Sequence, residues 1–274
     1  MVQRLKNLLV LMMLVSLFGA CSSSSDDNDS NTNVPSLNAC GAFNFSRTKI
    51  ANGEVCSVSG PSPLTRLVIN SLEGQGVCTG VVIDNDKVLT AAHCVEGTVL
   101  GLSIETTSGP VPASRFVFPG SYRFEQTSQG PLGFDDIAIV FASRDMGIQP
   151  MPILVTQSPA VGEGAFVGGF GENSPGSLDQ LPRAGNVIVT NVTTEHITIR
   201  FEGNQAHPCQ GDSGGPLVVD RDGVKFITGV VSQSAPSVPE DRICRPGDIT
   251  LYTNVRAPSV LGFLGTNAPN APAL

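Results

Sequence analysis

Residues 209–217 read Cys209-Gln210-Gly211-Asp212-Ser213-Gly214-Gly215-Pro216-Leu217. A serine hydroxyl is a weak nucleophile, and to react it needs a base and donors for the oxyanion it creates. The small residues flanking Ser213 let the backbone bend sharply and leave the hydroxyl bare. Gly211 lets its N–H turn inward beside that of Ser213, and each such donor stabilises a developing oxyanion by about 3 kcal/mol. A glycine-rich turn that merely contains a serine is the bland alternative, and the length of the run speaks against it.

A base is found upstream in Leu89-Thr90-Ala91-Ala92-His93-Cys94. A histidine that ends an apolar strand next to a cysteine is held by packing and by a covalent link. Its near-neutral imidazole can take the serine proton and return it to a leaving amine. The chain has three histidines, and His196 and His207 lack such a setting. The third group is in Asp136-Ile137-Ala138-Ile139-Val140. A carboxylate opening an apolar strand is costly to bury without a partner, and the ring N–H of His93 would be that partner. Asp135 competes by adjacency; Asp136 is favoured because it directly precedes the strand.

The surroundings predict an all-β chain. Of 274 residues 41% are hydrophobic and 15% charged, with 30 Gly and 20 Pro, a composition of short strands and turns. Strands are expected at 64–70, 77–83, 87–91, 186–191, 196–201, 216–219 and 225–231. Asp84-Asn85-Asp86 and Arg221-Asp222-Gly223 have turn composition. The one short helix is expected at 259–264, behind Pro258. A formal charge of −8 argues against nucleic acid as a partner.

The ends read differently. Arg4 and Lys6 precede an apolar run over 8–18, too short to span a membrane and suited to an export signal at 1–20. Residues 21–39 are Ser-, Asp- and Asn-rich and are expected to be a disordered tether. Residues 266–274, rich in Ala, Pro and Asn, are expected to be a loose tail.

His93, Asp136 and Ser213, in that order, resemble the triad of the trypsin-like (chymotrypsin-fold) serine proteases. The segments carrying the likeness are Thr90-Ala91-Ala92-His93-Cys94, Asp136-Ile137-Ala138-Ile139 and Gly211-Asp212-Ser213-Gly214-Gly215-Pro216, and the resemblance runs from about 50 to 264. It implies two six-stranded antiparallel β-barrels with the active site in the cleft between them. It implies serine endopeptidase activity through an acyl-enzyme, with Gly211 and Ser213 as the oxyanion hole and protein or peptides as substrates. No cofactor is expected, and no zinc-type cysteine spacing is present. Gly169-Phe170-Gly171 resembles the family's G-W-G with Phe for Trp. Ser232 resembles the serine that contacts the triad aspartate and begins the substrate-binding edge.

Lys49-Ile50-Ala51-Asn52-Gly53 resembles the family's activation junction. There, cleavage after the basic residue frees an isoleucine ammonium that pairs with the aspartate before the nucleophile, here Asp212. On that reading 40–49 is a propeptide, 50–265 is the peptidase domain, and an activating protease, or the enzyme itself, makes the cut. Arg47 is an alternative cut point that would leave Thr48 at the terminus. The resemblance also pairs Cys78 with Cys94 and Cys209 with Cys244, which leaves Cys40 to pair with Cys56 and keep the propeptide attached. Leu17-Phe18-Gly19-Ala20-Cys21 resembles a bacterial lipobox, so Cys21 is the expected lipidation site, with signal cleavage that discards it as the alternative. Either route delivers an extracytoplasmic protein, lipid-anchored to the bacterial envelope or secreted.

At the pocket base trypsin has an aspartate six residues before the nucleophile; here that residue is His207. His207, Ser232 and Gln233 are the expected substrate-binding residues, Gln233 standing where the family usually has Trp. A protonated His207 would favour acidic side chains, a neutral one aromatic or polar ones, and a His207 turned away would only fill space. Two competing functions are a non-catalytic binding protein on the same scaffold and an esterase with the same triad. An esterase elbow also reads G-x-S-x-G, but its histidine follows the serine, and no histidine follows Ser213.

Overall fold

The computed structural model describes residues 38–44, 46–50, 53–57, 60–127, 130–172, 181–203, 205–235 and 244–274. The export segment, Cys21 and most of the expected tether lie outside them. The strands are β1 (Ser46–Ile50), β2 (Gly53–Ser57), β3 (Leu64–Ser71), β4 (Gly74–Asp84), β5 (Lys87–Thr90), β6 (Val99–Thr106), β7 (Gly109–Val117), β8 (Arg123–Thr127), β9 (Gly130–Phe134), β10 (Ala138–Ala142), β11 (Gly164–Gly169), β12 (Arg183–Val192), β13 (His196–Arg200), β14 (Pro216–Arg221), β15 (Val224–Ala235) and β16 (Ile249–Asn254). One α-helix, α1 (Pro258–Asn267), follows.

Two closed barrels result, each of six antiparallel strands. The first runs β10-β5-β4-β3-β6-β7 and closes where β10 pairs with β7. The second runs β12-β11-β14-β15-β16-β13 and closes where β12 pairs with β13; β2 then adds the β1–β2 hairpin to the edge of β12. Closure leaves no sheet edge inside either barrel. The inward faces are β-branched and leucine-rich. Leu67, Val81, Leu89, Ile104 and Ile139 are fully buried in one barrel, and Val187, Ile197, Leu217 and Tyr252 in the other. β8 and β9 form a separate ribbon immediately ahead of Asp135 and Asp136.

The Arg221-Asp222-Gly223 turn forms as its composition predicts. Asp222 and Gly223 both have positive φ (53° and 85°), the two-residue turn whose twist suits a hairpin. The carboxylate of Asp220 accepts the Gly223 N–H at 2.7 Å.

Two expectations about the ends need correction. The tail does not hang loose. Ile153 N–H donates to Pro272 O, Leu274 N–H donates to Ile153 O, and the N–H groups of Val155 and Thr156 both donate to Leu274 O. The Ala-, Pro- and Asn-rich composition gives no sign of this because the anchoring is through the main chain. At the other end the expected tether overruns the fold by two residues. Asn38 accepts the Gly41 N–H, and Ala39 is fully buried at the start of a short 3-10 turn, Cys40–Phe43.

Candidate active site

Asp136 is completely buried, and its carboxylate meets three donors. Oδ1 accepts the backbone N–H of His93 at 3.0 Å. Oδ2 is 2.7 Å from His93 Nδ1 and accepts the Ser232 hydroxyl at 2.7 Å. Thr253 Oγ1 donates to the Asp136 carbonyl at 2.9 Å. A buried carboxylate is tolerated when its lone pairs are filled in this way. With the Nδ1 proton directed at Asp136, Nε2 is the basic nitrogen of His93. Asp135 takes a different path: its backbone is left-handed (φ 52°), and its side chain accepts from Ser259 on α1. Asp136, the favoured of the adjacent pair, is therefore the one that faces His93.

His93 sits in a short 3-10 turn, Ala92–Cys94, at the end of β5. The Cys78–Cys94 disulfide ties that turn to β4. Burial pulls the imidazole pKa down, but the hydrogen bond and charge of Asp136 outweigh it, so His93 lies above the ordinary histidine value.

The loop that carries Ser213 arrives from the other barrel and is fastened to β4. Thr79 N–H donates to Ser213 O at 2.8 Å, and Thr79 Oγ1 donates to Gly211 O at 2.9 Å. Cys94 Sγ, in the residue after His93, is 3.7 Å from Ser213 O. Gly211 has φ 95°, a conformation costly for other residues, and it turns the peptide ahead of Asp212.

The Asp212 carboxylate is held by two backbone donors. It accepts the Gly171 N–H at 2.7 Å and the Cys209 N–H at 2.8 Å. A Cβ on Gly169 would lie 1.9 Å from Asp212 Oδ1, which accounts for glycine beside Phe170. Desolvation pushes this carboxyl up to about 6, against the pull of the two N–H groups and Arg183. Lys49 and Ile50 close β1, opposite Glu54 and Gly53 of β2.

Cys40–Cys56, Cys78–Cys94 and Cys209–Cys244 are all bonded. Cys78 and Cys94 lie near His93, and Cys209 and Cys244 near His207, at metal-ligand distances. Their sulfurs are oxidised and carry no thiolate for a cation.

His207 is half-buried and packed against its own barrel. Its Nε2 is 3.0 Å from Thr250 Oγ1, and its ring stacks on Phe201 with centroids 5.1 Å apart. Thr250 Oγ1 is also 3.2 Å from Ser234 Oγ. Burial draws the His207 pKa down to about 4, despite the raising effects of Asp248 and the Pro208 backbone. Gln233 does not stand as a flat wall in place of Trp: its Oε1 accepts the Gly133 N–H at 2.9 Å.

Two site residues left no sequence signal. Thr79 is one threonine in an apolar strand. His196 looked unremarkable, yet it is 92% buried, its Nε2 is 2.6 Å from Gly133 O, and it meets Phe134 edge-on. Phe124 brings an aromatic ring to 6.5 Å from that of His93.

The sequence matches a protein-family model described as Trypsin over residues 54–257. It is 33% identical over 186 residues to trypsin zeta of Drosophila erecta, a match covering 57% of this chain and 63% of that protein. To kallikrein-4 of Homo sapiens it is 26% identical over 229 residues, covering 76% and 84%. To the snake venom serine protease BthaTL of Bothrops alternatus it is 27% identical over 202 residues, covering 66% and 82%. The chain thus spans just under two thirds of the length of trypsin zeta.

Proposed function

The chain belongs to the trypsin family of serine proteases, and from that premise we propose that it is a serine endopeptidase made as a zymogen. The buried Asp136 carboxylate that accepts from the His93 ring supports this reading most directly.

In the proposed reaction Ser213 Oγ attacks the scissile carbonyl carbon as His93 Nε2 takes the hydroxyl proton. The N–H groups of Gly211 and Ser213 hold the oxyanion. His93 then protonates the leaving amine, the C–N bond breaks, and an acyl-enzyme remains. Water, deprotonated by His93, hydrolyses the ester and restores Ser213. Asp136 keeps the imidazole in the working tautomer and stabilises the imidazolium.

Activation is read as cleavage after Lys49, by another protease or by the enzyme itself. The freed Ile50 ammonium then pairs with Asp212, whose carboxyl is enclosed by backbone at the end of β11. The Cys40–Cys56 bond keeps 40–49 attached to the cut enzyme. Three disulfides fit an extracytoplasmic location. Lipid attachment at Cys21, in the manner of a bacterial lipoprotein, would hold the active form on a membrane.

For specificity, a neutral His207 supplies neither the fixed anion that selects Lys or Arg nor the cation that selects acidic side chains. The reading is therefore a preference for uncharged residues before the cut.

A fluorophosphonate probe tests the activity. It should label the activated chain, whose N-terminal sequencing reads from Ile50, and leave Ser213→Ala unlabelled. Equal labelling of both, or none of either, refutes the reading. A peptide library then reads specificity, and cleavage only after Lys, Arg, Asp or Glu refutes the pocket assignment.

A further inference from the structure

We propose that Thr79 is a positioning residue for the oxyanion hole, its hydroxyl holding the Gly211–Asp212 peptide that lies between the Gly211 and Ser213 N–H groups and so keeping both aimed at the substrate. This rests on the serine endopeptidase reading above.

Thr79 lies on β4 of the first barrel and is completely buried. All of its polar atoms are engaged. Its N–H donates to Ser213 O at 2.8 Å, and its carbonyl accepts Thr90 Oγ1 at 2.8 Å. Its hydroxyl donates to Gly211 O at 2.9 Å and accepts the Phe170 N–H at 3.1 Å. One side chain thus joins three segments: β4, the nucleophile loop and the loop after β11. Any residue but proline at 79 could supply the backbone bond to Ser213. The hydroxyl bonds need a hydroxyl.

The bond to Gly211 matters because of what Gly211 is. A residue without Cβ rotates its flanking peptides at little steric cost. The Gly211–Asp212 peptide must therefore be held by something else if the N–H groups before and after it are to stay aimed. Asp212 anchors the segment from behind through Gly171 and Cys209. Thr79 anchors it at the Gly211 and Ser213 carbonyls, on either side of Asp212. Oxyanion donors act through preorganisation, and one that wanders loses its effect in the transition state more than in substrate binding.

Thr79→Val, which keeps the shape and removes the hydroxyl, is the test, with Thr79→Ser as the rescue. The expected result for Val is a roughly ten- to hundredfold lower kcat with KM within about twofold. A peptide aldehyde, which binds as an oxyanion-bearing adduct, should weaken by the same factor as kcat/KM. The acid limb of the pH profile should not move, and Thr79→Ser should recover most of the loss. In parallel, the Phe170 amide should exchange faster in Val than in wild type. An unchanged kcat, or a loss that appears wholly in KM, overturns the proposal, as does a Ser variant as impaired as Val. If wild type itself turns over no substrate, the endopeptidase reading fails. The exchange of Phe170 then decides whether the hydroxyl holds these loops, and unchanged exchange overturns that as well.

Discussion

Gln233 on β15 turns its Oε1 onto the backbone N–H of Gly133 at 2.9 Å, joining the expected substrate-binding edge to the β8–β9 ribbon. His196 on β13 meets the carbonyl of the same residue at 2.6 Å. Two side chains of the second barrel thus grip both polar groups of one peptide position, three residues before Asp136. The ribbon also carries Phe124 beside His93.

Loss of this grip should be felt by long substrates. His196→Ala should raise KM for peptides extended upstream of the cut by roughly fivefold, the equivalent of about 1 kcal/mol for one lost hydrogen bond. A single-residue ester should be cleaved as before. Amide exchange across 123–134 should quicken, and His196→Gln, which keeps a donor, should restore much of the loss. Equal loss on the ester would mean that the histidine acts through general stability.

The pH profile follows from the charge beside His93. The imidazole must be neutral to accept the serine proton, and Asp136 raises its pKa above the ordinary value of 6.5. Activity should therefore rise with pH along a limb whose midpoint in kcat/KM lies above 6.5. Asp136→Asn should lower kcat by roughly 10⁴-fold. A midpoint at or below 6.5 would contradict the assigned pairing.

Under the proposed activation, Asp212 ties stability to the cut. Its folded pKa of about 6 lies above the ordinary 3.8, so the folded uncut chain binds its proton more tightly than the unfolded one. The sign is fixed by linkage: this contribution favours folding fully below about 4 and is lost as pH rises through about 6. In the cut chain the Ile50 ammonium would reverse the preference by stabilising the carboxylate. The melting temperature of cut minus uncut protein should therefore grow between pH 4 and pH 7. A difference that stays constant across that range would count against the Ile50–Asp212 pairing.

The segment ahead of the proposed cut after Lys49 is packed into the fold as well as disulfide-bonded. Phe43 is fully buried, and a Cβ placed on Gly168 of β11 would lie 2.7 Å from its ring. Ser62 Oγ donates to the Phe43 carbonyl at 2.7 Å. Phe43→Ala should cost about 3–5 kcal/mol in urea unfolding, with the Cys40–Cys56 bond intact by non-reducing mass analysis. A cost below about 1 kcal/mol would show that the disulfide alone retains this segment.

Local chemistry accounts for what could be read directly. The apolar runs either side of Asp222-Gly223 specify β14, its turn and β15, because strand and turn preferences depend on near neighbours. β8 carries no such signal, since an exposed ribbon shows no apolar alternation. Asp135 and Asp136 show the limit of local reading. Both precede the same strand, and a left-handed backbone at Asp135 sends one carboxylate to α1 and the other to His93.

By itself the sequence determined the β class, the order of His93, Asp136 and Ser213, and the cysteine partners that the family likeness implied. Motifs of that kind are written in contiguous residues whose chemistry allows few alternatives. Only the tertiary structure decided that Thr79 grips the Gly211 carbonyl, that His196 and Gln233 share Gly133, that His207 stacks on Phe201 and meets Thr250, and that the final residues lie along 153–156. Each of these is a hydrogen bond or a burial between segments far apart in the chain. Such contacts come into being when the barrels close, and no neighbouring residue records them.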